Sequence, residues 1–190
     1  MDEFPKRSAL LLVDCQNDFI DPPAALKRIG MLGASAEDRV AVVNKLKTLL
    51  EAVRRSSRPI FHVRTIFRRD LADCLFAPLW KMRLGRDTPF LTEGSPGAAF
   101  IYETSREPSD FVITKKAHSA FQYTPLDRML SDLDIRTCLV AGFGGVSGSV
   151  DDTIRQGAAL GYDIAVIADA VFPLDPSFAL SLKNRASIQN

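Results

Sequence analysis

Ala9–Val13 is an unbroken apolar run, the pattern of a strand buried on both faces. Four further short apolar runs follow at Pro59–Val63, Phe111–Thr114, Thr137–Ala141 and Asp163–Ala168. Between them the period changes. Arg39–Arg55 places Val40, Val43, Leu46, Leu50 and Val53 at helical spacing. Pro125–Leu133 and Ser149–Leu160 also read as helices, and a last short one is predicted at Ser177–Arg185. Strands alternating with helices predict an α/β fold: three α/β/α layers, doubly wound, with a mostly parallel sheet. Two stretches break the alternation. Asp21–Ala36 and Arg68–Pro108 are long connections rich in Pro and Gly. Loops of that length in a compact domain are usually functional, mobile or plain surface excursions.

In open α/β sheets ligands bind at the carboxyl ends of the strands. Asp14, Arg64, Lys115 and the Gly142–Ser149 turn all fall there. The turn is the most telling of these. Cys138–Ala141 ends in Gly-Phe-Gly-Gly, and a helical pattern follows. Unpaired N–H groups and the helix dipole at such a turn suit an anion or a developing oxyanion. They also favour the ionised form of a nucleophile seated there. The residue opening this helix is Ser149, a weaker nucleophile than a thiol.

At 190 residues the chain is expected to form one domain, spanning 1–190, with a full core. The formal net charge is +1 with both signs interspersed, so no nucleic-acid partner is expected. No run of 18 apolar residues and no signal peptide is present, and a cytoplasmic protein without membrane partners is expected. Cys15, Cys74 and Cys138 are odd in number and widely spaced, which supports neither a disulfide framework nor a zinc site. His62 and His118 are the only histidines. A Ser-His-Asp triad or a metal hydrolase would rest on these two isolated residues.

Asp14 follows a buried strand, so burial should raise its pKa unless a cation sits nearby. Lys115 ends another strand and could be that cation. The pair could share a catalytic proton, or it could be a buried ion pair that only fixes the strand ends. Phe19, Trp80, Phe121 and Tyr123 are candidates to line an apolar slot, with core packing as the alternative for each. Arg64, Arg68 and Arg69 could clamp a substrate carboxylate, or for the last two simply form a solvated basic loop. Leu71, Leu75, Phe76, Leu79 and Trp80 exceed what an exposed loop should carry, which points to a homo-oligomer.

Several segments, in order, resemble the isochorismatase-like cysteine hydrolase superfamily. Leu-Leu-Val-Asp14-Cys-Gln-Asn-Asp-Phe resembles its first motif, whose Asp is the general base or acid. Phe61-His-Val-Arg64 resembles its second strand, and Gly94-Ser-Pro-Gly97 the turn before its third. Val112-Ile-Thr-Lys115-Lys-Ala-His-Ser119-Ala-Phe121 is similar to its lysine motif, and that register selects Lys115 over Lys116. Thr153 to Gly161-Tyr162 and Ala168-Asp169-Ala170 also fit, so the resemblance covers roughly 8–175. It implies a Rossmann-like hydrolase fold. Counting back from Thr153 puts Ser149 at the family's nucleophilic Cys, so Val146-Ser-Gly-Ser149-Val resembles the Thr-Ser-Gly-Cys-Val of carbamoylsarcosine- and maleamate-type amidohydrolases. Counting forward from Gly142 would instead put Gly148 there, as in true isochorismatases. The resemblance implies oxyanion donors around Gly145, Val146 and Gly148, and a cis peptide at Gly145–Val146. The stretch after the second strand, Thr65-Ile-Phe-Arg-Arg-Asp, lacks the metal-binding set of nicotinamidases, so neither a metal nor another cofactor is expected.

Three functions remain open on the sequence. One is a C–N hydrolase in which Asp14 takes the proton of the residue at 149, which attacks an amide or carbamoyl carbon. Ser149 would then be an introduced or a natural weakening of a thiol. The second is an isochorismatase-type vinyl-ether hydrolase in which Asp14 is the acid and Lys115 assists. The third is a non-catalytic binding protein that keeps the pocket.

Overall fold

The computed structural model describes residues 4–21, 36–74, 90–144 and 148–172. Five strands form one sheet: β1 (Ser8–Val13), β2 (Ile60–Thr65), β3 (Phe111–Lys115), β4 (Thr137–Phe143) and β5 (Asp163–Phe172). Their order is β3-β2-β1-β4-β5, and every neighbouring pair is parallel. Among the described residues four α-helices accompany them: α1 (Asn17–Ile20), α2 (Ala36–Arg55), α3 (Leu126–Asp132) and α4 (Ser149–Ala159). The predicted helix at 177–185 lies outside the described residues.

The pleat of β1 divides the core in two. Leu10 and Leu12 face α2, where Leu46, Leu50 and Val53 pack with Leu139, Phe143 and Phe172. Ala9, Leu11 and Val13 face the other way and pack with Val63, Ile113, Leu126, Leu130 and Val150. All six residues of β1 are buried, as a central strand covered on both faces must be. The fold is therefore the expected α/β/α sandwich. Central β1 is flanked by β2 and β4, which lead outward in opposite directions. The order reverses between β1 and β4, and the carboxyl ends of these two strands open the crevice where such folds bind ligands.

Four strands run past their expected ends, β2 reaching Thr65 and β3 reaching Lys115. β4 continues through Gly142 to Phe143, and β5 continues to Phe172. A register irregularity between Val140 and Gly142 lets β5 pair again at Gly142↔Val171 and Phe143↔Phe172. Gly142 makes this possible. Its φ is +123°, and a Cβ there would lie 2.0 Å from the Val13 carbonyl oxygen. Only a residue without a side chain lets β4 lie this close to the end of β1.

The long excursion after β2 folds back on the sheet edge. Phe67 bridges Thr92 and Gln16 bridges Phe100. Leu71, Phe90 and Leu91 are buried against the α2-side core. Leu71 is thus used within the chain, while Leu75, Phe76, Leu79 and Trp80 lie outside the described residues.

Candidate active site

Asp14 is the first residue beyond β1 and turns the chain sharply, at φ +53°. Asp is one of the few non-Gly residues that accept this left-handed conformation. Its amide donates to the Val63 carbonyl at 2.8 Å, which keeps the turn tied to β2. The carboxylate is sealed from solvent and has two partners. Thr65 Oγ1 donates to Oδ1 at 2.9 Å, and Lys115 Nζ donates to Oδ2 at 3.0 Å. Strand register explains the meeting: Thr65 and Lys115 are paired residues at the ends of β2 and β3.

Four oxygens surround Lys115 Nζ. They are Thr65 Oγ1 at 2.6 Å, Ser149 Oγ at 2.9 Å, Asp14 Oδ2 at 3.0 Å and the Ala117 carbonyl at 3.2 Å. Burial pushes the ammonium below the ordinary lysine range, and the Asp14 charge pulls against that. Ser149 is the first residue of α4 and is buried, with its hydroxyl on Lys115. Gly148 caps the helix in an extended conformation and offers no side chain to the first-turn N–H groups. Gly144 lies against the same helix end at φ +132°. A Cβ on it would come within 2.8 Å of the Ser149 nitrogen and 2.9 Å of the Val150 nitrogen. Among the described residues neither glycine puts a side chain over the helix N-terminus, the arrangement in which backbone N–H groups can stabilise an oxyanion.

Two ties hold these pieces together. Thr153 Oγ1 donates to the Ser149 carbonyl at 2.6 Å and accepts from the Ala120 amide at 2.9 Å, which joins α4 to the segment after Lys115. Gln16 is fully buried. Its Nε2 donates to the Thr65 and Ala98 carbonyls, and its Oε1 accepts from the Thr65 amide. The side chain thereby replaces a strand in joining β1, β2 and the turn at 96–98. Beside the site His118 Nδ1 lies 3.3 Å from Asp152 Oδ2. Burial holds His118 below its usual pKa, and the nearby Lys115 adds to that while Asp152 opposes it.

Residues 8–184 match the isochorismatase domain. The chain belongs to the isochorismatase family. Among curated relatives it is similar to the ureidoacrylate amidohydrolase RutB of Cronobacter sakazakii, with 27% identity over 186 residues, 92% of this chain and 78% of the relative. Among solved structures it is similar to an isochorismatase family protein from Desulfovibrio vulgaris, with 27% identity and a TM-score of 0.78 over 97% of this chain and 91% of that one. It shares the fold of N-carbamoylsarcosine amidase from Thermoplasma acidophilum, with 24% identity and a TM-score of 0.75 over 94% and 91% of the two chains. The family relation makes this chain one of a group of hydrolases and accounts for the parallel sheet with flanking helices.

Asp14, Lys115 and Ser149 thus converge at one sheet edge. Gly148 stands beside them, while Gly145 and Val146, with the cis peptide expected there, lie outside the described residues, as does Trp80. The remaining pocket candidates have other places. The pleat turns Arg64 to the face opposite Thr65. There its Nε donates to Thr114 Oγ1 at 3.0 Å and its guanidinium lies 5.7 Å from the Phe100 ring centre. Phe19 packs in the α2-side core between Phe90 and Phe143, with ring centres 5.7 and 6.0 Å away. Phe121 packs against Tyr162, 5.6 Å between ring centres, and over Gly157 in the opposite core. Tyr123 is 84% exposed among the described residues. Arg68 is held by Asp70 at 2.8 Å. The sequence reading missed Thr65 and Gln16, and a polar residue two positions beyond Val63 on the same pleat face was the available signal for Thr65.

Proposed function

We propose that this chain is an amidohydrolase that cleaves a C–N bond of a small amide or carbamoyl substrate, with Ser149 as nucleophile. The observation that carries this reading is the buried cluster of Ser149, Lys115 and Asp14 at an uncapped helix N-terminus. The named activities of the similar proteins, ureidoacrylate amidohydrolase and N-carbamoylsarcosine amidase, give the substrate class. In this reading Ser149 Oγ attacks the carbonyl carbon and N–H groups at the start of α4, with those of 145–148, receive the oxyanion. Nothing in the reaction as drawn requires a metal or cofactor.

The test is turnover of a panel of N-carbamoyl and ureido acids by the purified protein and two variants. Ser149→Ala should remove the activity. Ser149→Cys should raise it by about 100-fold, because a thiol at a helix N-terminus ionises far more readily than a hydroxyl. Isochorismate cleavage that survives Ser149→Ala would replace this reading with the vinyl-ether hydrolase. The absence of any turnover in both the parent chain and Ser149→Cys would leave the binding protein.

The proposal includes a single domain over 1–190 and a cytoplasmic site of action, in keeping with three buried cysteines that form no disulfide. It also includes a homo-oligomer, for which the exposed Tyr102 and Tyr123 are candidate contacts. A monomer by light scattering at micromolar concentration would remove the oligomer.

A further inference from the structure

We infer that Lys115, and not Asp14, is the base that takes the proton from Ser149, so that the chain works through a Ser-Lys pair. This deepens the amidohydrolase reading and rests on it for the substrate. The geometry is specific. Ser149 Oγ is 2.9 Å from Lys115 Nζ, and among the described residues its hydroxyl has no other hydrogen-bond partner and none to Asp14. Both oxygens of Asp14 are already engaged, one by Thr65 and one by Lys115.

Hydrogen counting around Lys115 Nζ points the same way. An ammonium has three N–H donors. Asp14 Oδ2 and the Ala117 carbonyl can only accept. Thr65 gives its own hydrogen to Asp14 Oδ1, so it too accepts from Lys115. With Ser149 Oγ at 2.9 Å there are four oxygens for three N–H donors, and of the four only Ser149 has a hydrogen that is not already committed or absent. When Lys115 loses a proton, one direction becomes a lone pair, and Ser149 is the neighbour whose hydrogen is available to meet it. Burial lowers the amine's pKa and so raises the neutral fraction. The charged or titratable groups acting on Lys115 are Asp14 beyond β1, Asp152 on α4 and His118 after β3.

The step balances as follows. The Ser149 O–H bond breaks and its proton goes to the Lys115 lone pair. Ser149 Oγ bonds to the amide carbon, and the carbonyl π pair moves to oxygen. The tetrahedral adduct collapses, the C–N bond breaks, and the leaving nitrogen takes the proton from Lys115. Water then bonds to the acyl carbon and gives a proton to Lys115, the acyl C–Oγ bond breaks to release the carboxylic acid, and the returning proton restores the Ser149 hydroxyl. Asp14 takes no proton in these steps; it aims the amine, and its charge sets how readily Lys115 loses its proton.

A fluorophosphonate that phosphorylates activated serines reads the step without reference to the substrate. Labelling of Ser149, followed by intact mass against pH, should rise to a plateau with a midpoint below the ordinary lysine value of about 10.4. Asp14→Asn removes the charge that favours the ammonium. Its midpoint should move to lower pH, whatever the height of its plateau, whereas removal of a true base leaves no such midpoint and costs about 100-fold or more. Lys115→Met should lose at least that much at every pH. Because burying Met there could unfold the chain, the pH profiles of the parent and Asp14→Asn decide the matter by themselves. Labelling abolished by Asp14→Asn at all pH values, or absent from the parent, overturns the inference. Amide turnover with the wrong labelling profile defeats only the Ser-Lys assignment. The right profile without amide turnover defeats only the amidohydrolase reading.

Discussion

At the scale of single residues the site depends on a hydroxyl that the sequence does not advertise. Thr65 Oγ1 accepts from Lys115 and donates to Asp14, so among the described residues it is the only neutral group bridging the buried charges. Valine has nearly the same shape and neither hydrogen-bonding function. Thr65→Val should cost about 1–3 kcal/mol in urea unfolding, the penalty of leaving buried polar groups short of a partner. Thr65→Ser should recover most of that loss. Equal stability of the valine variant would show that the bridge has no energetic role. That Asp14, Lys115 and Ser149 meet was expected from the sequence: Asp14 directly follows a buried apolar run, Lys115 ends a strand, and Ser149 opens the helix after a Gly-rich turn. The aromatic candidates were not legible. Phe19 and Phe121 carry the same signal whether they line a slot or fill a core, and here both fill a core. Arg64 was misplaced by one step of the pleat, since its neighbour Thr65 points to the site and it does not.

At the scale of elements, the strand centres and the helix α2 were readable from apolar runs and helical spacing. Their ends were not. The extension of β4 through Gly142 and Phe143 rests on a close approach of two backbones, which no periodicity reports. A contrast between two glycines tests it. Gly161 has φ +92° with open space around its would-be Cβ, so Gly161→Ala meets only backbone strain, about 1–3 kcal/mol. Gly142→Ala meets similar strain and also drives a Cβ into the β1 backbone at Val13. It should exceed Gly161→Ala by about 1–3 kcal/mol, the range for overpacking where the neighbour cannot yield. Chemical denaturation of the two variants measures the difference, and equal losses would mean that β1 and β4 separate easily. Such a loss would also reach the site, because β4 delivers the turn that leads to Ser149.

For the whole molecule, stability should fall as the solution turns mildly acidic. His62 sits fully buried in β2 between the α2-side core and Asp110, whose Oδ2 lies 3.1 Å from its Nε2. Burial lowers the His62 pKa, and the attraction of Asp110 only partly offsets it. His118 is lowered too, again first by burial. The sign follows from proton uptake. Below about pH 6.5, the unperturbed histidine value, the unfolded chain binds protons that the folded chain refuses. Stability is therefore full above that pH and declines as pH falls toward the folded values. Asp110 acts in a separate, more acidic window. Burial would raise its pKa, but the Glu107 amide, Arg54 and His62 together hold it below the ordinary carboxylate range. Its contribution is present above about pH 4, the unfolded Asp value, and is lost as pH falls through the lower folded one. Urea unfolding between pH 5 and 8 should show a positive slope of stability with pH below 6.5 and a plateau above. His62→Asn should flatten much of that slope while lowering stability at pH 8, where it disturbs the contact with Asp110 without removing any titration. A parent profile flat from pH 5 to 8 would mean that Asp110 compensates the burial of His62 in full, and that the buried network holds its proton as easily as water does.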